Sequence, residues 1–285
     1  MIGMINMLKP VGLTSSDVVV RVRGILRRHT GEKYKVGHMG TLDPGASGVL
    51  PVAIGNATRL FGLLANKTKI YRAIMRFGYS TDTCDSYGIV TEKSEHIPTI
   101  SELASILPSF VGKINQIPPK YSAISINGKR AYSMARENID FDIPVRTITI
   151  NSLEIIEQLD DRTFVIDINC MGGTYIRTLI YDIAKKLESN ANMISLIRLS
   201  NGNMNINDSI TLEELEVKPT IILLAEVLHD FSRYDVRECD RIKVINGVKI
   251  KDVELPEDEF VVYNDNEILG IGHSEDKILF MDVRL

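Results

Sequence analysis

Apolar residues recur at helical spacing in several separate stretches. Val18, Val19, Val22, Ile25 and Leu26 form one face of a predicted first helix, which Ser15 or Ser16 can cap and Gly31 can end. Ile176, Leu179, Ile180, Ile183, Ala184 and Leu187 repeat the pattern after Gly172-Gly173-Thr174. Thr99 and Glu102 have capping-box spacing for a helix running to about Phe110, and a short helix is predicted over 57–65. Elsewhere the period is two. Over 70–79, Tyr71, Ala73, Met75 and Phe77 share one side of a strand and Arg72 and Arg76 the other. Strands are also predicted over 147–157, 163–170 and 193–199, with a hairpin turn at Asn127-Gly128. Val49, Leu50, Val52, Ala53 and Ile54 form an apolar run broken by Pro51, which predicts an edge or irregular strand. Beyond residue 231, short alternations over 259–263, 268–271 and 277–283 predict a small β domain. The chain therefore divides into an α+β domain with a mixed sheet over 1–231 and a β domain over 232–285.

Composition narrows the class. With 285 residues, 44% hydrophobic and 25% charged, the chain can bury a full core. No apolar run reaches the roughly 20 residues of a membrane span, and the start lacks the apolar core of a secretory signal, so a cytoplasmic location is expected. Cys84, Cys170 and Cys239 lack CxxC spacing and are expected as reduced thiols. The five histidines show no HExxH, so no metal or other cofactor is expected. The net charge of −4 argues against nonspecific nucleic-acid binding, but its distribution is uneven. Residues 1–40 carry seven basic and two acidic side chains. Residues 113–146 carry six basic and three acidic ones with Tyr121 and Tyr132 between them, a composition suited to RNA phosphates and unstacked bases. Residues 233–285 carry eight basic and thirteen acidic ones.

One stretch concentrates candidate chemistry. Residues 37–60 read GHMGTLDPGASGVLPVAIGNATRL, with five glycines and two prolines around one acid, Asp43. Asp43-Pro44-Gly45 favours a tight turn that presents the carboxylate from a rigid support. Neither the phosphate loop GxxxxGK(S/T) nor the dinucleotide pattern GxGxxG is present. Asp82 and Asp85 in the polar loop 80–88 are read as solvated turn residues rather than a glycosidase-like acid pair. Arg177 falls in the first turn of its helix, where the backbone is already positive, and no acid lies three or four residues away. It calls for a distant anion: Asp43, an RNA phosphate, or else only water.

The 37–60 stretch resembles the catalytic motif of the TruB family of pseudouridine synthases, bacterial enzymes that isomerise uridine 55 in the T loop of tRNA. The likeness continues through Lys9-Pro10, Gly12, Thr14-Ser15, KIYR at 69–72, TDTCD at 81–85, IPPKYSA at 117–123 and GTYIRT at 173–178, in the family's order, over residues 4 to about 215. Two departures are Met39, where relatives usually have threonine, and Ile197 before Arg198, where many have two arginines. The resemblance implies a pseudouridine synthase fold with a mixed, mainly antiparallel sheet, an RNA-clamping insertion over about 113–146 and a PUA-like C-terminal domain. It implies Asp43 as nucleophile, Arg177 as its partner, Tyr71 against the target base and His38 near the vacated stack. Leu196 falls in the pocket, and Lys9, Arg59, Arg198, Lys120, Lys129 and Arg146 are placed at the RNA. The implied partner is the tRNA T arm, bound by a monomer with no cofactor and no obligatory protein partner. Two other readings stay open: a noncatalytic tRNA-binding or folding-assistant protein, and a guide-dependent archaeal or eukaryotic-type relative.

Overall fold

The computed structural model describes residues 1–285 except 66, 123, 127, 138, 252–254 and 257, and except the side chains of 130 and 136. The first half of the chain contributes β1 (Gly3–Lys9), α1 (Ser15–Thr30), β2 (Val36–His38), β3 (Ala46–Ile54), α2 (Phe61–Ala65) and β4 (Lys69–Phe77). A short hairpin of β5 (Tyr79–Thr81) and β6 (Val90–Lys93) follows, then α3 (Ile100–Ile106) and β7 (Gly112–Gln116). The excursion over 117–145 holds β8 (Ser125–Ile126), β9 (Lys129–Arg130) and α4 (Ala131–Arg136); Ala123 and Asn127 lie outside the described residues. The chain returns through β10 (Arg146–Asp160), β11 (Thr163–Cys170), α5 (Ile176–Lys186), β12 (Ala191–Asn201), β13 (Met204–Asn205), α6 (Leu212–Val217) and α7 (Leu224–Val227). The C-terminal unit holds β14 (Ser232–Asp235), α8 (Glu238–Ile245), β15 (Ile250–Lys251), β16 (Phe260–Asn264), β17 (Glu267–Glu275) and β18 (Ile278–Arg284).

The large sheet runs β1-β3-β12-β4-β11-β10-β7, with β2 added beside β3 and β13 beside β12 off this path. Every pairing in it is antiparallel except β12 beside β3. β4 shows why its sequence alternates: Tyr71, Ala73, Met75 and Phe77 enter a core with Leu179, Ile180 and Ile183 of α5, while Arg72 on the other face grips Asp167 of β11 through two hydrogen bonds of 2.8 Å. Opposite faces of β1 and β3 are buried against different neighbours. Ile5, Met7, Leu50 and Val52 meet Val18, Val22 and Leu26 of α1, whereas Met4, Val49 and Ala53 meet Val261 and Ile271 of the C-terminal sheet. A strand buried on both faces reads as a continuous apolar run.

That burial corrects the expected position of β3, which is an inner strand rather than an edge. Pro51 is tolerated because its C=O, and hence its nitrogen, faces the side where β12 pairing stops at Gly48 and β2 pairing starts at Val52. The Pro51 carbonyl accepts from Met39 N at 2.8 Å there, and no ladder bond needs an N–H from residue 51. The C-terminal unit is a five-stranded sheet in the order β14-β16-β17-β18-β15. β16, β17 and β18 match the expected alternations, while β14, β15 and α8 escape them: β14 buries no side chain fully and α8 buries only Asp240 and Val244, so neither shows an apolar face.

Gly48 marks the closest approach in the large sheet. Its φ is +107°, and a Cβ there would collide with the Arg198 carbonyl and stand 2.7 Å from the Arg198 nitrogen on β12. Gly48→Ala should lower stability by at least about 2 kcal/mol, from strained backbone plus displaced β12. Gly62→Ala, a helical position with nothing within 4 Å of its Cβ, should be neutral or slightly stabilising. Paired thermal melts check this; similar melting temperatures for the two variants would contradict it.

Candidate active site

The loop that carries Asp43 is held almost entirely through its carbonyls. Thr14, rather than Ser15 or Ser16, caps α1 in a capping box with Asp17, and this leaves the Ser15 hydroxyl for other work. Ser15 Oγ accepts from Leu42 N at 2.8 Å and donates to Leu42 O at 3.0 Å. Gly12 N donates to Pro44 O at 2.8 Å, and Ala46 N closes the turn on Asp43 O at 3.0 Å. Arg198 sends Nη2 to Gly40 O at 3.0 Å, Nη1 to Thr41 O at 3.5 Å and Nε to Val49 O at 2.7 Å. Lys9 Nζ donates to Ala46 O at 2.6 Å and Pro10 O at 2.9 Å, and Asn201 Nδ2 to Met39 O at 3.0 Å. Backbone acceptors that would otherwise be buried unpaired are satisfied from three directions, which makes the turn rigid.

Two of those donors were expected at the RNA. Lys9 is 0% and Arg198 1% exposed, so neither can reach a phosphate; both are internal braces of the Asp43 loop. Buried acceptors with no nearby backbone donor explain why cations are there at all. Burial pushes the Lys9 ammonium down to about 8, against the opposing pull of Asp43. Lys69, 5% exposed and donating to Ala65 O and Lys67 O, is likewise pushed to about 8 by burial and then by Arg198. His38 on β2 is half-buried and pushed downward by burial and by Arg198, and its Nδ1 has no partner. Tyr71 is 7% exposed; burial raises its phenol's pKa, while the nearby Arg198 guanidinium draws it back. Leu196 is buried on β12 between Ala46 and Ala73.

Arg177 arrives on α5, whose Ile176 and Leu179 pack in the same core as Leu42 and Ala46 on either side of Asp43. Gly173 adopts φ +89°, and Gln116 of β7 accepts from Tyr175 N at 2.9 Å and donates to Tyr175 O at 3.0 Å, which fixes the start of α5. The Arg177 side chain is 6% exposed, and its Nη2 lies 2.9 Å from Asp43 Oδ2. The same Nη2 donates to Tyr121 O at 3.0 Å, and Nη1 donates to Thr83 O at 3.1 Å. Nη1 also lies 3.6 Å from Asp85 Oδ2. The distant anion that helix electrostatics called for is thus Asp43, joined by Asp85.

Asp85 corrects an expectation. Its side chain is only 14% exposed, and Oδ1 accepts from Thr83 Oγ1 at 2.6 Å and Tyr87 N at 3.0 Å. Asp82 alone is the exposed turn residue, accepting from Ile89 N at 2.8 Å. Periodicity could not separate the two acids. What does so is docking of the loop on the start of β12, where Ser86 N donates to Met193 O at 3.0 Å and Met193 N to Cys84 O at 3.1 Å.

The remaining candidates lie further out. Arg59 donates through Nη1 to Arg284 O at 2.7 Å and so ties the turn after β3 to β18. Lys120 is exposed and 3.3 Å from Asp140, Lys129 is exposed on β9, and Arg146 is exposed at the start of β10. Among the described residues no group of three or more His, Cys, Asp or Glu side chains could hold a metal ion, and no helix is long and apolar enough to cross a membrane. The centre is an accessible carboxylate, 42% exposed, backed by a buried guanidinium, a buried phenol and a braced turn. Such a carboxylate can act as a nucleophile or stabilise developing positive charge.

Comparison with known proteins places this arrangement. The crystal structure of a Cbf5-Nop10-Gar1 complex aligns with a TM-score of 0.74 at 24% identity, over 99% of this chain and 84% of that one. An archaeal box H/ACA sRNP Nop10-Cbf5 complex aligns with a TM-score of 0.70 at 22% identity, over 99% and 85%. The fold is therefore that of the pseudouridine synthases. The TruB family pseudouridylate synthase N-terminal domain matches residues 27–176. The tRNA pseudouridine synthase B of Clostridium perfringens (strain 13 / Type A) is 39% identical over 96% of each chain. That of Caldanaerobacter subterraneus subsp. tengcongensis is 40% identical over 96% of this chain and 95% of its own. The chain belongs to the TruB family of pseudouridine synthases.

Buried Lys9 leaves a pH signature. An unfolded lysine keeps its proton to about 10.5, while folded Lys9 releases it near 8, so between these values the unfolded state binds more protons and stability rises with pH. Lys9→Met lacks this contribution. The melting temperature of the wild type should therefore gain on that of Lys9→Met as pH goes from 8 towards 10, and parallel curves would contradict it.

Proposed function

We propose that the chain converts uridine 55 in the T loop of tRNA to pseudouridine, with Asp43 as nucleophile. The observation that carries this reading is the accessible Asp43 carboxylate, 2.9 Å from a guanidinium that is itself 6% exposed. The relatives' name, tRNA pseudouridine synthase B, supports the substrate class. In the reaction the N1–C1′ bond breaks, a C5–C1′ bond forms, the C5 proton leaves and N1 gains a proton. No net oxidation occurs. Because the reacting bond lies inside a stacked loop, the uridine must first be flipped out. Attack at uracil C6, attack at ribose C1′ and assisted formation of a glycal all begin from the Asp43 carboxylate, and Arg177 serves each by fixing its orientation. Tyr71, whose phenol is kept protonated by burial, lies against the flipped base, and His38 fills the space the base leaves.

Exposed Lys120, Lys129 and Arg146 lie on or next to the 117–145 excursion and are the phosphate contacts of this reading. Tyr121 on the same excursion gives its carbonyl to Arg177, so closure of the excursion on the T arm and orientation of Asp43 are mechanically connected. The enzyme acts as a cytoplasmic monomer without a protein partner. Incubating the purified chain with unmodified tRNA, and with an isolated T-arm stem-loop, should yield pseudouridine at position 55 in both. A requirement for a guide RNA or a second subunit would overturn the reading.

Arg177→Lys keeps one charge but loses the planar fork that meets two carboxylates and two carbonyls. It should fold normally and lose at least about a hundredfold in kcat. Arg177→Ala should be worse, because Asp43 and Asp85 then face each other with no cation between them. Near-normal kcat in Arg177→Lys would show that charge alone suffices.

A further inference from the structure

The loop that supplies two of Arg177's acceptors also carries a feature that the chemistry above leaves unused. Tyr87 is 72% exposed, an unusual state for a large aromatic side chain held in an ordered turn. Its ring sits over the turn that presents Asp43. A Cβ added at Gly45 would collide with the ring edge and stand 3.0 Å from Tyr87 Cζ and 3.1 Å from its hydroxyl oxygen. Only a bare backbone two residues beyond Asp43 lets the ring approach this closely.

The backbone that carries the ring is held on both sides. Tyr87 N donates to Asp85 Oδ1 at 3.0 Å, and Asp85 is held in turn by Thr83 Oγ1 and faces Arg177. Asp82 Oδ1 accepts from Ile89 N at 2.8 Å, and Gly88 fits so tightly that a Cβ there would meet the Thr83 and Asp82 side chains. Ile89 and Val90, which follow, are 78% and 47% exposed. A solvent-facing aromatic against the turn of a nucleophile that works on a flipped nucleotide has an evident ligand. Unpaired bases have π-faces that stack on tyrosine irrespective of sequence.

We propose that Tyr87 is a stacking platform for a loop nucleobase neighbouring the target uridine, and so positions the substrate without taking part in bond making. This rests on the assignment of an RNA loop as substrate. The stack receives a base that loses its neighbour when the target flips out, and the shared support through Asp85 and Gly45 keeps the platform at a fixed distance from Asp43.

The test is steady-state kinetics on the T-arm stem-loop with wild type, Tyr87→Phe and Tyr87→Leu. Wild-type turnover in the same assay establishes the substrate reading independently; its absence would indict that reading and not the platform. Given turnover, Tyr87→Leu should raise KM about tenfold, equal to about 1.4 kcal/mol, with kcat within about twofold. Tyr87→Phe should match the wild type in both constants. The salt dependence of KM should keep its slope in all three proteins, because a stacked ring releases no counterions. An unchanged KM in Tyr87→Leu, an equal loss in Tyr87→Phe, or a fall confined to kcat would each overturn the platform. The last would mean that the ring acts only on the shape of the Asp43 turn.

Discussion

A buried guanidinium must find partners for its charge and its planar donors, and in this protein that demand organises the site. Arg177 meets Asp43 and Asp85 with its charge and the carbonyls of Thr83 and Tyr121 with its remaining donors. The four groups come from three segments: the turn after β2, the loop between β5 and β6, and the excursion after β7. The first two are anchored separately, the Asp43 turn by Ser15, Lys9 and Arg198 and the β5–β6 loop by Met193, and the arginine joins both to the excursion. Taking such a cation out of water costs several kcal/mol and is repaid only when every donor is well met. A site assembled this way is intolerant of a lysine, whose single ammonium cannot address acceptors on two sides of a plane.

Beneath the Asp43 turn a second set of cations works on backbone rather than on carboxylates. Arg198 and Lys9 donate between them to five carbonyls, and Lys69 donates to two more on the adjoining segment. The depression of both lysines to about 8 records the cost of this arrangement. The return is geometric. A nine-residue inner strand that begins at Ala46 starts from a turn whose carbonyls from Met39 to Pro44 each accept a hydrogen bond, so the nucleophile's position is inherited from the sheet.

These two sets explain what the sequence could and could not disclose. The strands and helices with full apolar repeats, β4 and α5 above all, are legible because burial on one face imposes a period. Asp43 is legible because proline and glycine announce its turn, and Arg177 because a cation at a helix start lacks a local partner. Lys9 and Arg198 were misread as RNA contacts, since nothing in a one-dimensional pattern distinguishes a cation facing solvent from one facing buried carbonyls. Asp85 was misread for the converse reason. Its burial depends on a loop docking against Met193, more than a hundred residues away. The inner position of β3 was hidden by Pro51, whose missing N–H falls at the one gap between β12 and β2.

The account stands on the Asp43 carboxylate as the reacting group. Asp43→Asn is the most direct probe, because the amide preserves shape and most hydrogen bonding while removing the charge that meets Arg177. Single-turnover pseudouridine formation on unmodified tRNA, measured beside tRNA affinity, should fall to background while affinity stays within a few-fold of wild type. Formation at a near-normal rate would contradict the account and move the chemistry to another residue.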